Sequence, residues 1–250
     1  MFVNNINPQI LNLGFLDIRW YGVIYALGFL LMFFTFPLML KLRPVKNFYK
    51  KDVSDYITYV IVGVVLGARL FIILIYDPPY YFSNPSHMFA FWEGGMSFHG
   101  GLLGAIIATY LFAKKRNIKF WEIADMASVH ASLSLFLGRI ANFINSELYG
   151  TITDVPWCVK FKNAEGCRHP SQLYESAKNL LSFAILLFLH KRPHKSGFIF
   201  SMFILLYGTL RFLIEFVRFS PVHPLGLSIG QWLCIPMIIA GGIMVFKLRK

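Results

Sequence analysis

A chain of 250 residues that is 56% hydrophobic and only 14% charged, with 26 phenylalanines, is too apolar for an ordinary soluble domain, where about a quarter of residues are charged. A net charge of +12 could suit nucleic acid, but the basic residues are confined to particular connections between apolar runs, which argues for a membrane protein instead.

In chain order, seven apolar stretches are long enough to cross a hydrocarbon core of ~30 Å, which takes roughly 20 helical residues. They lie near 21–40, 54–76, 97–113, 121–146, 172–190, 198–217 and 229–246. A transmembrane barrel would instead show roughly ten-residue alternating segments, so the expectation is an all-α integral membrane protein. The third stretch is short and glycine-rich, and the fourth is interrupted by "GRIANFINSELYG" at 138–150. No basic n-region or small-residue cleavage site marks the first stretch as a cleavable signal, so it reads as a retained span. The whole chain, 1–250, reads as one polytopic domain, with 148–171 as a small external appendage.

Orientation follows from the loops. "KLRPVKNFYKK" holds five Lys or Arg, "KKRNIK" four, "KRPHK" three and the C-terminal "KLRK" three, all in alternate connections or the tail. The positive-inside rule places these in the cytoplasm, with the N-terminus outside and the C-terminus inside. Four cations remain within the apolar stretches, Arg69, Arg139, Lys178 and Arg211. Each costs at least about 2.5–3.5 kcal/mol at a helix centre and therefore needs a partner or a wet cavity.

With that orientation the polar groups gather toward the outer side. Tyr21 opens the first span, Arg69 nears the outer end of the second, and His99 starts the third within "EGGMSFHGGLLG". The fourth runs outward through Arg139 and Asn142 to Glu147 and Gly150. The fifth starts with "RHPSQLYES", carrying His169, Gln172, Tyr174 and Glu175. On the sixth, Tyr207, Arg211, Glu215 and Arg218 recur at i, i+4, i+8 and i+11, which places them on one helix face. An Arg211–Glu215 pair could simply let that helix insert. Arginines on two neighbouring helices instead suggest an anion between them, because guanidinium forks match phosphate oxygens. Gly63 and Gly67 are spaced for close helix packing. The glycines around His99 (Gly94, Gly95, Gly100, Gly101, Gly104) fit either packing or close backbone approach, and His99 fits either a structural imidazole or a general base.

Cys158 and Cys167 share the external segment, where an oxidising exterior permits a disulfide; their spacing leaves the pairing open. Cys234 lies inside the last span, where a small apolar role is expected. Short strands are expected in the appendage, with Val155–Phe161 the weak candidate. P-loop, dinucleotide and zinc spacings are absent. A transporter with an outward-facing anion cavity would share the arginines, but would carry internal repeats and a midplane site, and no repeat is visible.

"GRIANFINSELYG" resembles the signature of the prolipoprotein diacylglyceryl transferase family: Gly-Arg, a small residue, Asn-Phe, an apolar residue, Asn, then Glu and a closing Gly. "RWYG", "GGMSFHGGL", "RHPSQLYE", "YGTLRFLIEFVR" and "LSIGQ" resemble further family blocks, in family order from Tyr21 to Gln231. The resemblance implies a bacterial inner-membrane enzyme that moves diacylglyceryl from phosphatidylglycerol to the lipobox cysteine of a preprolipoprotein. It releases glycerol-1-phosphate and needs no metal or other cofactor. By position, Arg139 and Arg211 would hold the lipid phosphate. Tyr21, Asn142, Glu147, Tyr207 and Glu215 would orient the head group or the arginines, and Gly150 would permit the closing turn. His99 is the candidate base, and Arg69, His169 and Glu175 are further site candidates. The resemblance leaves the oligomeric state open and implies no nucleic-acid partner.

Overall fold

The computed structural model describes residues 2–12, 17–90 and 96–249. Seven long helices coincide with the seven apolar stretches: α1 (Trp20–Leu42), α2 (Val53–Phe71), α4 (Phe98–Arg116), α5 (Phe120–Ile144), α6 (Ser171–His190), α7 (Phe198–Ile214) and α8 (Ile229–Leu248). A short helix, α3 (Pro78–Ser83), follows a π-helical turn, Ile72–Tyr76, that extends α2. Among the described residues the strands are four short ones: β1 (Phe2–Asn4), β2 (Gln9–Asn12), β3 (Asp17–Arg19) and β4 (Val159–Phe161). Among the described residues, five helical segments are long and apolar enough to cross a membrane: Trp20–Leu42, Lys50–Tyr76, Phe120–Ile144, Phe198–Val217 and Ile229–Leu248. The chain is thus a multi-pass helical membrane protein. It forms two compact units, Met32–Ala124 and Met1–Leu31 with Asp125–Lys250.

In the Met32–Ala124 unit, α2 and α4 cross through glycines. A Cβ at Gly63 would lie 2.6 Å from both the Ala108 Cβ and the Gly104 carbonyl oxygen, one at Gly67 2.9 Å from the Gly104 Cα, and one at Gly100 or Gly104 would collide with the α2 backbone. The packing role expected for Gly63 and Gly67 therefore extends to Gly100 and Gly104, while Gly94 and Gly95 lie outside the described residues. Next to this crossing, Phe36, Phe48, Tyr56 and Phe112 bury a cluster of rings with centroids 5.0–6.4 Å apart. Thr109 Oγ1 donates to the Ala105 carbonyl at 2.8 Å, so the Tyr56 hydroxyl donates to Thr109 Oγ1 at 3.0 Å and no buried hydroxyl is left unpaired. Helix α4 ends at Asn117, left-handed at φ 53°, with Ile118 N–H closing onto the Ala113 carbonyl.

In the other unit, the buried Asp125 carboxylate accepts the Gly197 and Phe200 N–H groups, both at 2.9 Å, and so satisfies the free amides at the start of α7. Gly241 lets α8 approach the Leu205 backbone of α7, where a Cβ would lie 2.7 Å from the Leu205 nitrogen. Cys234 is buried in α8. The segment between α5 and α6 is closed by a disulfide between Cys158 and Cys167, Cα atoms 5.5 Å apart, which resolves the pairing that spacing left open. Of the expected strand Val155–Phe161 only Val159–Phe161 forms. Its parallel partner is β1, from the far N-terminus, in the register Phe2↔Val159.

Gly104→Val should lower stability by about 1–3 kcal/mol, because the new side chain meets the Gly63 backbone. Gly101→Ala, whose Cβ would find Val64 Cγ1 at 3.5 Å, should be tolerated. Thermal unfolding in detergent separates them; equal stability of both variants and wild type would contradict the tight crossing.

Candidate active site

The "GRIANFINSELYG" stretch stops α5 at Ile144 with a defined motif. Ser146 N–H bonds the Phe143 carbonyl at 3.1 Å and Glu147 N–H bonds the Asn142 carbonyl at 2.9 Å, while Ser146 is left-handed at φ 56°. These are the two bonds of a Schellman cap, here built on a serine instead of the usual glycine. The cap folds Glu147 back toward its own helix. Asn142 Nδ2 then donates to Glu147 Oε2 at 3.2 Å and Asn145 Nδ2 to Glu147 Oε1 at 3.3 Å. One turn earlier, Arg139 Nη1 donates to Asn142 Oδ1 at 3.3 Å. Arg139, Asn142 and Glu147 are therefore one chain of hydrogen bonds.

Gly150 closes the turn by bringing three segments into backbone contact. Its N–H bonds the His169 carbonyl at 2.9 Å, and Thr151 N–H bonds the Val217 carbonyl at 3.0 Å. A Cβ at Gly150 would sit 2.5 Å from the Val217 oxygen and 2.6 Å from the His169 Cβ, so only glycine fits. The start of α6 is tied to the same stretch, since Ser171 Oγ donates to the Leu148 carbonyl at 2.9 Å and Gln172 Nε2 to that of Glu147.

These ties position Glu175, whose side chain is 2% exposed, at a junction of three cations from three helices. Arg139 Nε of α5 is 3.5 Å from Glu175 Oε2, and Lys178 Nζ of α6 is 3.4 Å from the same oxygen. Arg211 Nη1 of α7 contacts Glu175 Oε1. Arg211 Nη2 also pairs with Glu215 Oε2 at 2.7 Å, and Arg218 Nη1 stands 3.9 Å from that oxygen. Helix α7 ends at Ile214 and Glu215–Val217 tightens into a 3₁₀ turn, so the face expected to continue through Arg218 changes pitch. Gly230 of the "LSIGQ" block leaves room for Glu215, because a Cβ there would lie 2.6 Å from the carboxylate carbon. Tyr207 faces Lys178, with Nζ 4.0 Å from its ring centroid.

A cavity of about 470 Å³ borders this network, lined by Tyr21, Asn142, Glu147, Leu148, Tyr149, Arg218 and Phe219. Tyr21 stacks on Tyr25 with centroids 5.2 Å apart. Just past α7, burial first and the nearby Arg139 charge second lower the Arg218 pKa from its usual value. Buried cations of this kind are tolerable only with carboxylates or a bound anion beside them. Arg139 has spent its Nε and Nη1 on Glu175 and Asn142, and a guanidinium offers five N–H donors.

Of the sequence candidates, Tyr21, Arg139, Asn142, Glu147, Gly150, Glu175, Tyr207, Arg211 and Glu215 all belong to this one unit and to the connected network or its cavity. His169 contributes backbone to the Gly150 junction. Its ring turns elsewhere: Trp157 Nε1 donates to Tyr174 Oη at 2.7 Å, and the same hydroxyl is hydrogen-bonded to His169 Nδ1 at 3.1 Å. Arg69 and His99 belong to the Met32–Ala124 unit. The Arg69 guanidinium is taken up by the carbonyls of His87, Met88 (3.1 Å) and Ala90 (3.1 Å) and by the Tyr81 ring at 5.2 Å. His99 is exposed in the first turn of α4, after the Ser97 side chain that accepts the Gly100 N–H at 3.3 Å. Arg218 and Lys178 are the residues that sequence reasoning left out of the site. The i, i+3 spacing of Glu175 and Lys178 was the available signal for the second.

Fold and site together define a polytopic helical membrane protein built round a buried arginine–carboxylate network. The sequence profile described as "prolipoprotein diacylglyceryl transferase" matches residues 8–247. The chain is 43% identical to the phosphatidylglycerol–prolipoprotein diacylglyceryl transferase of Bordetella parapertussis, with 98% of this chain and 96% of that protein covered. It is 45% identical to the transferase of that name from Geobacter sulfurreducens (98% and 96% covered) and 43% identical to the one from Rickettsia rickettsii (96% and 96%). The chain belongs to the prolipoprotein diacylglyceryl transferase family and is a transferase of lipoprotein biosynthesis.

Glu175→Gln removes the carboxylate that pairs Arg139, Lys178 and Arg211. It should cost about 3–5 kcal/mol of stability, as expected for a broken buried ion pair. Denaturation in detergent reads this directly, and a variant as stable as wild type would show that the junction does not hold the three helices.

Proposed function

We propose that this chain transfers the diacylglyceryl group of phosphatidylglycerol to the lipobox cysteine thiol of preprolipoproteins, in the bacterial inner membrane. The observation that carries the proposal is the single network in which Arg139 and Arg211 share Glu175 beside a cavity lined by Tyr21, Asn142, Glu147 and Arg218. In the proposed topology all seven long helices span the bilayer. The N-terminus lies outside, the C-terminus lies in the cytoplasm, and the site opens toward the outer leaflet. The basic loops at 41–51, 114–119 and 191–195 support that orientation.

The chemistry requires a sulfur–carbon bond to form at the glyceryl carbon bearing the phosphate ester, while the carbon–oxygen bond to phosphate breaks. A thioether is made and glycerol-1-phosphate departs. A free thiol with pKa ~8.5 is mostly protonated, so a base or a positive field must favour the thiolate. The departing phosphate ester is anionic throughout. Arg139 and Arg211, already fixed by Glu175 and Glu215, receive it without further reorganisation, which is where preorganised charge is most effective. Asn142 and Glu147 hold Arg139 in place, and Glu215 does the same for Arg211. Tyr21 and Tyr207 orient the head group from the cavity wall and from the Lys178 side. His99 is the proposed base on the strength of its sequence block and the proton-accepting chemistry of imidazole. Arg69 acts indirectly, by holding the chain at His87–Ala90.

Purified protein mixed with phosphatidylglycerol and a lipobox peptide should yield a peptide heavier by one diacylglyceryl group, detected by mass. Arg139→Ala and Arg211→Ala should remain inserted and folded yet lose at least about a hundredfold in turnover. Absence of thioether product under conditions where a related transferase is active would overturn the assignment. His99→Gln should abolish turnover across the pH range, and near-wild-type rates would remove it as the base.

A further inference from the structure

Lys178 is a buried cation to which neither the sequence blocks nor the reaction gives a role. It is 6% exposed on α6, and its ammonium is enclosed by Glu175 Oε2 at 3.4 Å, Asn179 Oδ1 at 3.3 Å and the Tyr207 ring at 4.0 Å. Asn179 is itself 2% exposed, so this is a built pocket for an ammonium group rather than a lysine reaching out to water. A lysine in an apolar span is costly, and a helix needing only to insert would place leucine there.

The Glu175 oxygen that Lys178 contacts is the one that Arg139 Nε approaches at 3.5 Å. Lys178 and Arg139 therefore share one acceptor. Whatever part of the carboxylate charge Lys178 neutralises is unavailable to Arg139 and Arg211, whose positive potential is left to that extent uncompensated. The same conclusion follows from the charge balance. Arg139, Lys178, Arg211 and Arg218 stand against Glu147, Glu175 and Glu215, leaving one positive charge in excess. Without Lys178 the network is neutral, and the pull on an entering phosphodiester is weaker by one nearby positive charge.

We propose that Lys178 is a positioning residue for the phosphate site: by drawing on Glu175 it leaves Arg139 and Arg211 free to bind the phosphate of the lipid substrate. This rests on the transferase reading above. It acts on the bound anion through the arginines, without touching the reacting carbon, so its effect falls on substrate binding. The geometry assigns the role to charge rather than shape, because each of the three contacts is one an ammonium or a guanidinium can make and a neutral side chain makes only weakly.

The test compares wild type, Lys178→Gln and Lys178→Arg in detergent–phosphatidylglycerol mixed micelles, following thioether product at varied lipid fraction. Lys178→Gln should raise KM for phosphatidylglycerol about tenfold, equivalent to about 1.4 kcal/mol, while kcat changes less than about threefold. Lys178→Arg should return KM toward the wild-type value. Because KM does not depend on how much of a preparation is folded, a partly unfolded variant still gives a decisive reading. A Lys178→Gln enzyme with wild-type KM, or a Lys178→Arg enzyme as impaired as Lys178→Gln, would overturn the inference and leave the transferase reading intact. Wild-type protein that makes no thioether would overturn that reading first.

Discussion

Glu175 is one carboxylate, almost wholly removed from water, against which α5, α6 and α7 each lay a cation. Taking an ion out of water costs several kcal/mol even after relaxation, so none of Arg139, Lys178 and Arg211 could remain in these apolar helices alone. Mutual pairing makes the arrangement all-or-none: it fixes three helices against one another and aims two guanidinium groups at the same time. Stability and preorganisation therefore come from the same contacts.

Backbone geometry makes that junction possible. The cap at Ser146 turns Glu147 back onto Asn142, and Gly150 then admits His169 and Val217 to within hydrogen-bonding distance of its own main chain. The ends of α5, α6 and α7 are thereby sewn together just outside the charged network. Gly230 gives Glu215 the space to meet Arg211. At the other end of α7 the buried Asp125 binds its first amides, so the helix carrying Arg211 is fixed at both ends. The Cys158–Cys167 disulfide and the β1–β4 pair complete the closure of the segment that follows Gly150.

Most of the helical architecture was legible because apolar length is a strong signal, and all seven stretches form helices. The network was partly legible. Arg139, Arg211 and Glu215 stood out because charges in apolar runs demand explanation. Glu175 stood only among the further candidates, since no local pattern shows that tertiary packing brings Arg139 and Arg211 to it. Lys178 was visible as a costly cation but had no assigned partner for the same reason. The β1–β4 pair joins residues about 157 positions apart, and no local pattern encodes such a contact. Arg69 was expected at the site, yet its guanidinium is engaged by carbonyls of a nearby loop. Sequence gave its depth and its need for partners, but not which partners.

The central claim is that the Glu175 network forms a seat for a phosphate monoester or diester. Calorimetric titration of the purified protein with glycerol-1-phosphate, the proposed leaving group, addresses this without needing turnover. Wild type should bind saturably, and folded Arg139→Gln should weaken binding at least about tenfold, as expected when one charge-assisted phosphate contact is lost. Equal affinity in the two proteins would mean that the phosphate is held elsewhere.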